Sequence, residues 1–80
     1  MTIKEFWTLP ADAKRRMTFA DVQAVIDNQL GTASLATIKA VVLDVWRDDT
    51  KSRIGRTRAG ILTVIRTSLF DLKETCDRNV

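Results

Sequence analysis

Four cations, Lys51, Arg53, Arg56 and Arg58, fall within eight residues that carry no acid. Ser52, Gly55 and Thr57 stand between them. Guanidinium forks, an ammonium group and the N–H groups of a glycine-bearing turn are the donors that hold phosphate oxygens. The stretch is therefore a candidate cradle for a polyanion. Thr57 can cap a helix that starts at Arg58, which brings the positive end of a helix dipole to the same place. The distribution of charge leans the same way. The net charge is +3, yet residues 1–50 hold six Lys/Arg against seven acids, and residues 51–80 hold seven against three. Such asymmetry points to nucleic acid or to an acidic protein surface as partner.

Other chemistries lack their residues. The chain has no histidine and no tyrosine. That removes His-based triads, Cys/His zinc sites and the usual proton shuttle. Asp48 and Asp49 are the one close acid pair. Adjacent residues on a helix face different ways, so the pair reads as a solvated helix end and not as a metal site. Cys76, the single cysteine, falls on an apolar stripe and reads as buried filler. The expectation is a protein that is not an enzyme and needs neither cofactor nor metal.

The elements that must carry the cations are helical. Thr18 and Asp21 have capping-box spacing, and Phe19, Val22, Ile26 and Leu30 then recur on one helical face. Gly31 can end that helix in the left-handed conformation. Ser34 can cap the next helix, about Leu35–Asp48, with a stripe of Leu35, Ile38, Val42, Val45 and Trp46. Two amphipathic helices joined at a glycine look like a helix-turn-helix, a motif that often places its second helix in the DNA major groove. On that second helix Thr37, Lys39 and Arg47 are the residues set to approach a groove, while Asp44 and Asp48 oppose phosphate. Asp27 also stands where the compact form of the motif usually has a small residue. Asp49 can cap a short turn, Thr50 to Ile54, closed by Gly55.

Short helices precede this pair, about Ile3–Thr8 with a Thr2/Glu5 capping box and Pro10–Met17 with its bases at the end. Ile3, Phe6, Trp7, Leu9 and Met17 read as a lid over the core. Lys14, Arg15 and Arg16 would extend the basic patch if the second helix packs beside it. The last helix spans about Arg58–Asp77, with Leu62, Ile65, Leu69, Leu72 and Cys76 in 3-4-3-4 spacing. Gly60 and several β-branched residues weaken it. A hairpin wing over residues 53–67 is the alternative, and the absence of period-2 alternation favours helix. The predicted fold is all-α, one domain over residues 1–80, a compact bundle of four to five helices with a central helix-turn-helix-like pair.

Eighty residues with 45% hydrophobic side chains support one small core. With 29% charged residues, no apolar run approaches the ~20 residues of a membrane span. Met1–Glu5 lacks a signal-peptide pattern, so a cytoplasmic protein without a membrane partner is expected. Two functions fit. One is a small DNA-binding regulator that binds double-stranded DNA through Lys51, Arg53, Arg56 and Arg58. The other is an adaptor or inhibitor docking an acidic protein surface through its arginines with Phe70, Trp7 and Trp46. Phe70 lies roughly 140° from the centre of its helix's stripe. The Leu62–Cys76 seam could also pair two copies into a homodimer.

Overall fold

The computed structural model describes residues 1–46 and 57–78. Among the described residues there are five helices and no strand: α1 (Ile3–Thr8), α2 (Ala11–Arg16), α3 (Phe19–Leu30), α4 (Leu35–Trp46) and α5 (Arg58–Arg78). The fold is the expected small all-α bundle. Residues 58–67 are helical, so no wing forms there. The Thr50–Ile54 turn and its Asp49 cap lie outside the described residues.

Local capping sets most helix starts. Thr2 Oγ1 accepts from Glu5 N–H at 3.1 Å while Glu5 Oε1 accepts from Thr2 N–H at 3.0 Å. Thr18 and Asp21 make the same reciprocal pair at 2.9 and 3.0 Å. Ser34 Oγ accepts from Thr37 N–H, and Thr57 Oγ1 accepts from Gly60 N–H. Each bond satisfies a first-turn donor that has no partner within its helix.

The core is built by α1, α3, α4 and α5. Ile3, Phe6, Val22, Ile26, Leu30, Ile38, Val42, Ile61, Ile65 and Leu69 are buried in it. Helix α5 is the spine and packs on α2, α3 and α4, while α1 packs on both α3 and α4. Within the described residues α3 and α4 touch each other much less than each touches α5. Their relative placement therefore depends on what lies between and around them.

Four expectations need correction. Ile3 and Phe6 are core residues with no exposure, not a lid. Phe19 is 45% exposed and stacks edge-on against Phe70 instead of joining its stripe inside. On α5 the buried row is Ile61, Ile65, Leu69, Lys73 and Cys76, so Leu62 and Leu72 fall at its margins. Steps of four residues turn slowly around the helix, and the row follows successive neighbours along its 21 residues. Lys73 enters the row because its ammonium bonds both Asp77 oxygens (2.9 and 3.1 Å) and lies 5.1 Å from the Phe19 ring centre. Finally, Gly31 is right-handed (φ −57°, ψ −36°). Its need for glycine is steric: a Cβ there would stand 2.5 Å from the Asp27 carbonyl oxygen, which accepts the Gly31 N–H.

Gly31→Ala should therefore destabilise the protein by about 1–3 kcal/mol, the usual cost of forcing an atom into filled space. Urea midpoints would read it, and a midpoint equal to the wild type would contradict the close approach. Glu5 offers a pH test. Its hydrogen bonds from the Thr2 backbone and side chain hold its carboxyl below the usual 4.5. A carboxyl depressed on folding contributes above its unfolded value, and the contribution fades as pH falls through the folded value. The stability gap between wild type and Glu5→Gln should be full at neutral pH and shrink in acid; a gap independent of pH would contradict it.

Candidate nucleic-acid interface

Seven residues are candidates for phosphate or groove contacts. Arg47, Lys51, Arg53 and Arg56 lie outside the described residues. Thr37, Lys39 and Arg58 lie within them, and the structure uses them differently.

Arg58, the first residue of α5, turns its guanidinium onto the corner between α3 and α4. Its Nε donates to the Ala33 carbonyl at 2.9 Å. Its NH2 group donates to the Leu30 carbonyl at 2.9 Å and the Gly31 carbonyl at 2.6 Å. Three of the five guanidinium N–H donors are thus committed to backbone oxygens. The Leu30 and Gly31 carbonyls lie at the negative end of α3, and the Ala33 carbonyl belongs to the turn before α4. A planar fork of donors fits that cluster as a point charge does not. The side chain is part-buried.

The outward arc of α4 carries Ala36, Thr37, Lys39, Ala40, Leu43 and Asp44, all exposed. At 100° per residue Ala36, Ala40 and Leu43 hold its middle, with Thr37 and Asp44 at one margin and Lys39 at the other. The Thr37 hydroxyl hydrogen-bonds Ser34 Oγ at 3.0 Å, which ties it into the cap of α4. Asp44 accepts from Lys4 at 3.2 Å, so its charge is offset by an ammonium from α1. Leu43 is 57% exposed at the centre of this arc.

The basic end of α2 also divides. Lys14 is 5% exposed and donates to the carbonyls of Trp7 (3.1 Å) and Leu9 (2.6 Å), closing the end of α1 beneath it. Arg15 pairs with Asp12. Arg16 is exposed. Sequence reasoning takes Lys14 for surface charge and misses its inward role. It also passes over Arg66, which is exposed on α5 beside a groove of about 120 Å³ between α3 and α5. Gln23, Ile26, Asp27, Leu62 and Thr63 also line that groove.

The aromatic residues of the adaptor reading are all used inside the chain. Trp7 and Trp46 meet edge-on, ring centres 5.0 Å apart, and Phe70 meets Phe19 at 5.2 Å. All three candidates, Trp7, Trp46 and Phe70, are half-buried against the core. Ile65, Leu69 and Cys76 of the proposed two-copy seam are buried within the chain itself. No group of three or more His, Cys, Asp or Glu among the described residues is placed to hold a metal. No helix among them is long and apolar enough to cross a membrane. No family model, curated protein or solved structure matches this chain.

Removing the Arg58 side chain takes a charged donor from three carbonyls, of which Leu30 keeps the Ala33 N–H at 3.2 Å. Bonds to a charged donor contribute about 1.5–3 kcal/mol each but do not add in full, so Arg58→Ala should cost about 2–4 kcal/mol. Arg66→Ala, on the same helix but exposed, should stay within about 0.5 kcal/mol. Thermal or urea unfolding of the two variants checks this; equal effects would show that the corner does not depend on Arg58.

Proposed function

We propose that the protein is a small non-enzymatic regulator that binds double-stranded DNA, with α4 facing the major groove and the neighbouring bases on phosphates. One observation carries the reading. The chain leaves α4 at Trp46, and Arg58 bonds the turn that precedes α4. Arg47, Lys51, Arg53 and Arg56 fall in the sequence between Trp46 and Arg58. Lys39 adds a cation to the exposed arc, and the small side chains of Ala36 and Ala40 let a helix sit close to base edges. Ala40 and Leu43 suit the methyl group of thymine. Lys4 offsets the repulsion that Asp44 would otherwise exert on phosphate. Arg58 is the residue whose part changes: its donors are engaged by the corner, so Lys51, Arg53 and Arg56 carry the phosphate contacts.

An acidic protein surface is the second reading. It is favoured by the exposure of Leu43, an apolar side chain at the middle of an otherwise accessible helix face. It is weakened by the internal pairing of Trp7, Trp46 and Phe70, its intended anchors.

Titration of labelled duplex DNA at several salt concentrations separates the two. Under the DNA reading, affinity falls steeply with salt. The double variant Arg53→Ala/Arg56→Ala lowers the logarithmic salt slope by about 0.9 for each phosphate that it no longer neutralises. Arg58 is left intact in that variant so that stability and binding are not confounded. Absence of duplex binding by the folded wild type would overturn the reading and leave the protein partner.

A further inference from the structure

We propose that Arg58 is a positioning residue of the duplex interface, acting through the α3–α4 corner and not as a phosphate ligand. The inference rests on the DNA reading above. Its guanidinium is a tethered ligand lodged among the carbonyl oxygens of Leu30, Gly31 and Ala33, at 2.9, 2.6 and 2.9 Å. The corner it fills joins two helices that each pack more on α5 than on one another, so little else fixes their angle directly. Gly31 draws the turn in so tightly that a methyl group would not fit beside the Asp27 oxygen. Ala33 stands two residues before α4, and its carbonyl is held by Arg58 Nε. A shift of that carbonyl displaces Ser34, the cap of α4, and with it the exposed arc bearing Thr37 and Lys39.

The ligand chemistry of the corner is equally defined. Three converging oxygens, two of them at the negative end of the α3 dipole, make a receptor for a planar cation with diverging N–H donors. Cutting Arg58 back to alanine opens that receptor to a free guanidinium of the same shape. An ammonium, compact and strongly hydrated, matches it poorly. A guanidinium that left the corner for a phosphate would give up three bonds and leave the Ala33 carbonyl without its charged donor, which argues that it stays in place when DNA binds.

The experiment compares full-length wild type, Arg58→Ala, Arg58→Lys and Arg53→Ala/Arg56→Ala. Duplex affinity is measured across a salt series, and thermal midpoints are taken with and without millimolar N-methylguanidinium chloride against equal sodium chloride. Arg58→Ala should bind about tenfold or more weakly at every salt concentration, a loss of about 1.4 kcal/mol or more, with the slope of the wild type. Lysine should restore little of it, and N-methylguanidinium should raise both the midpoint and the affinity of the alanine variant. A slope reduced by about one charge in Arg58→Ala would make Arg58 a phosphate contact and overturn the proposal. Unchanged affinity in the folded variant would overturn it too. If Arg58→Ala does not fold alone, the same comparison is made in N-methylguanidinium, where failure to recover structure counts against the receptor. Wild type that binds no duplex fails the DNA reading first, and the positioning role with it.

Discussion

A helix that ends inside a small bundle must find donors for its last carbonyls, and in this protein a guanidinium from far along the chain supplies them. Arg58 follows Leu30 by 28 residues and closes the end of α3 at the point where α4 begins. The turn at Gly31 is right-handed and closed by the Ala33 N–H on the Leu30 carbonyl, and the side chain adds donors to the carbonyls of Leu30, Gly31 and Ala33. Lys14 does the same for α1 at shorter range, with its ammonium on the carbonyls of Trp7 and Leu9. Both cations are fixed to the negative ends of helix dipoles. In a chain of 80 residues, where a single core is thin, such caps weigh heavily beside apolar burial.

This inward use of charge alters how the net +3 is read. Lys14 and Lys73 are buried, Arg58 is bonded to the corner, and Lys4, Arg15 and Arg78 face carboxylates. The bases that remain for a polyanion are fewer than the sequence total; among the described residues Arg16 on α2, Arg66 on α5 and Lys39 on α4 are exposed. Lys39 sits on the exposed arc of α4, and Arg47, Lys51, Arg53 and Arg56 follow it in sequence. Asp44, which the bare sequence set against phosphate, is paired with Lys4 from α1. The outward arc then has Ala36, Ala40 and Leu43 at its centre and no charge there, with Lys39 at one margin and the Lys4-paired Asp44 at the other.

Helix identity was legible because its signals are local. Thr2 with Glu5, Thr18 with Asp21, Ser34 and Thr57 each mark a start within three residues, and α3 runs from Phe19 to Leu30 as its periodicity predicts. The buried face of α5 was legible only in part. Ile65, Leu69 and Cys76 were expected, but Ile61 and Lys73 complete the row because α5 passes several different helices. An i,i+4 relation between Lys73 and Asp77 was visible; the Phe19 ring that covers the ammonium was not. Arg58 carried no local signal at all. Its composition and neighbours placed it in a phosphate cradle, and only long-range packing brings three backbone oxygens to it.

Retention of the Arg58 guanidinium by the corner in solution is the central claim. Solvent exchange of its Nε proton, followed by nuclear magnetic resonance on labelled protein, reads this directly. A proton bonded to the Ala33 carbonyl should exchange far more slowly than the Nε proton of exposed Arg16 and should show a scalar coupling across the hydrogen bond. Exchange as fast as that of Arg16, with no such coupling, would place the side chain in solvent and contradict the claim.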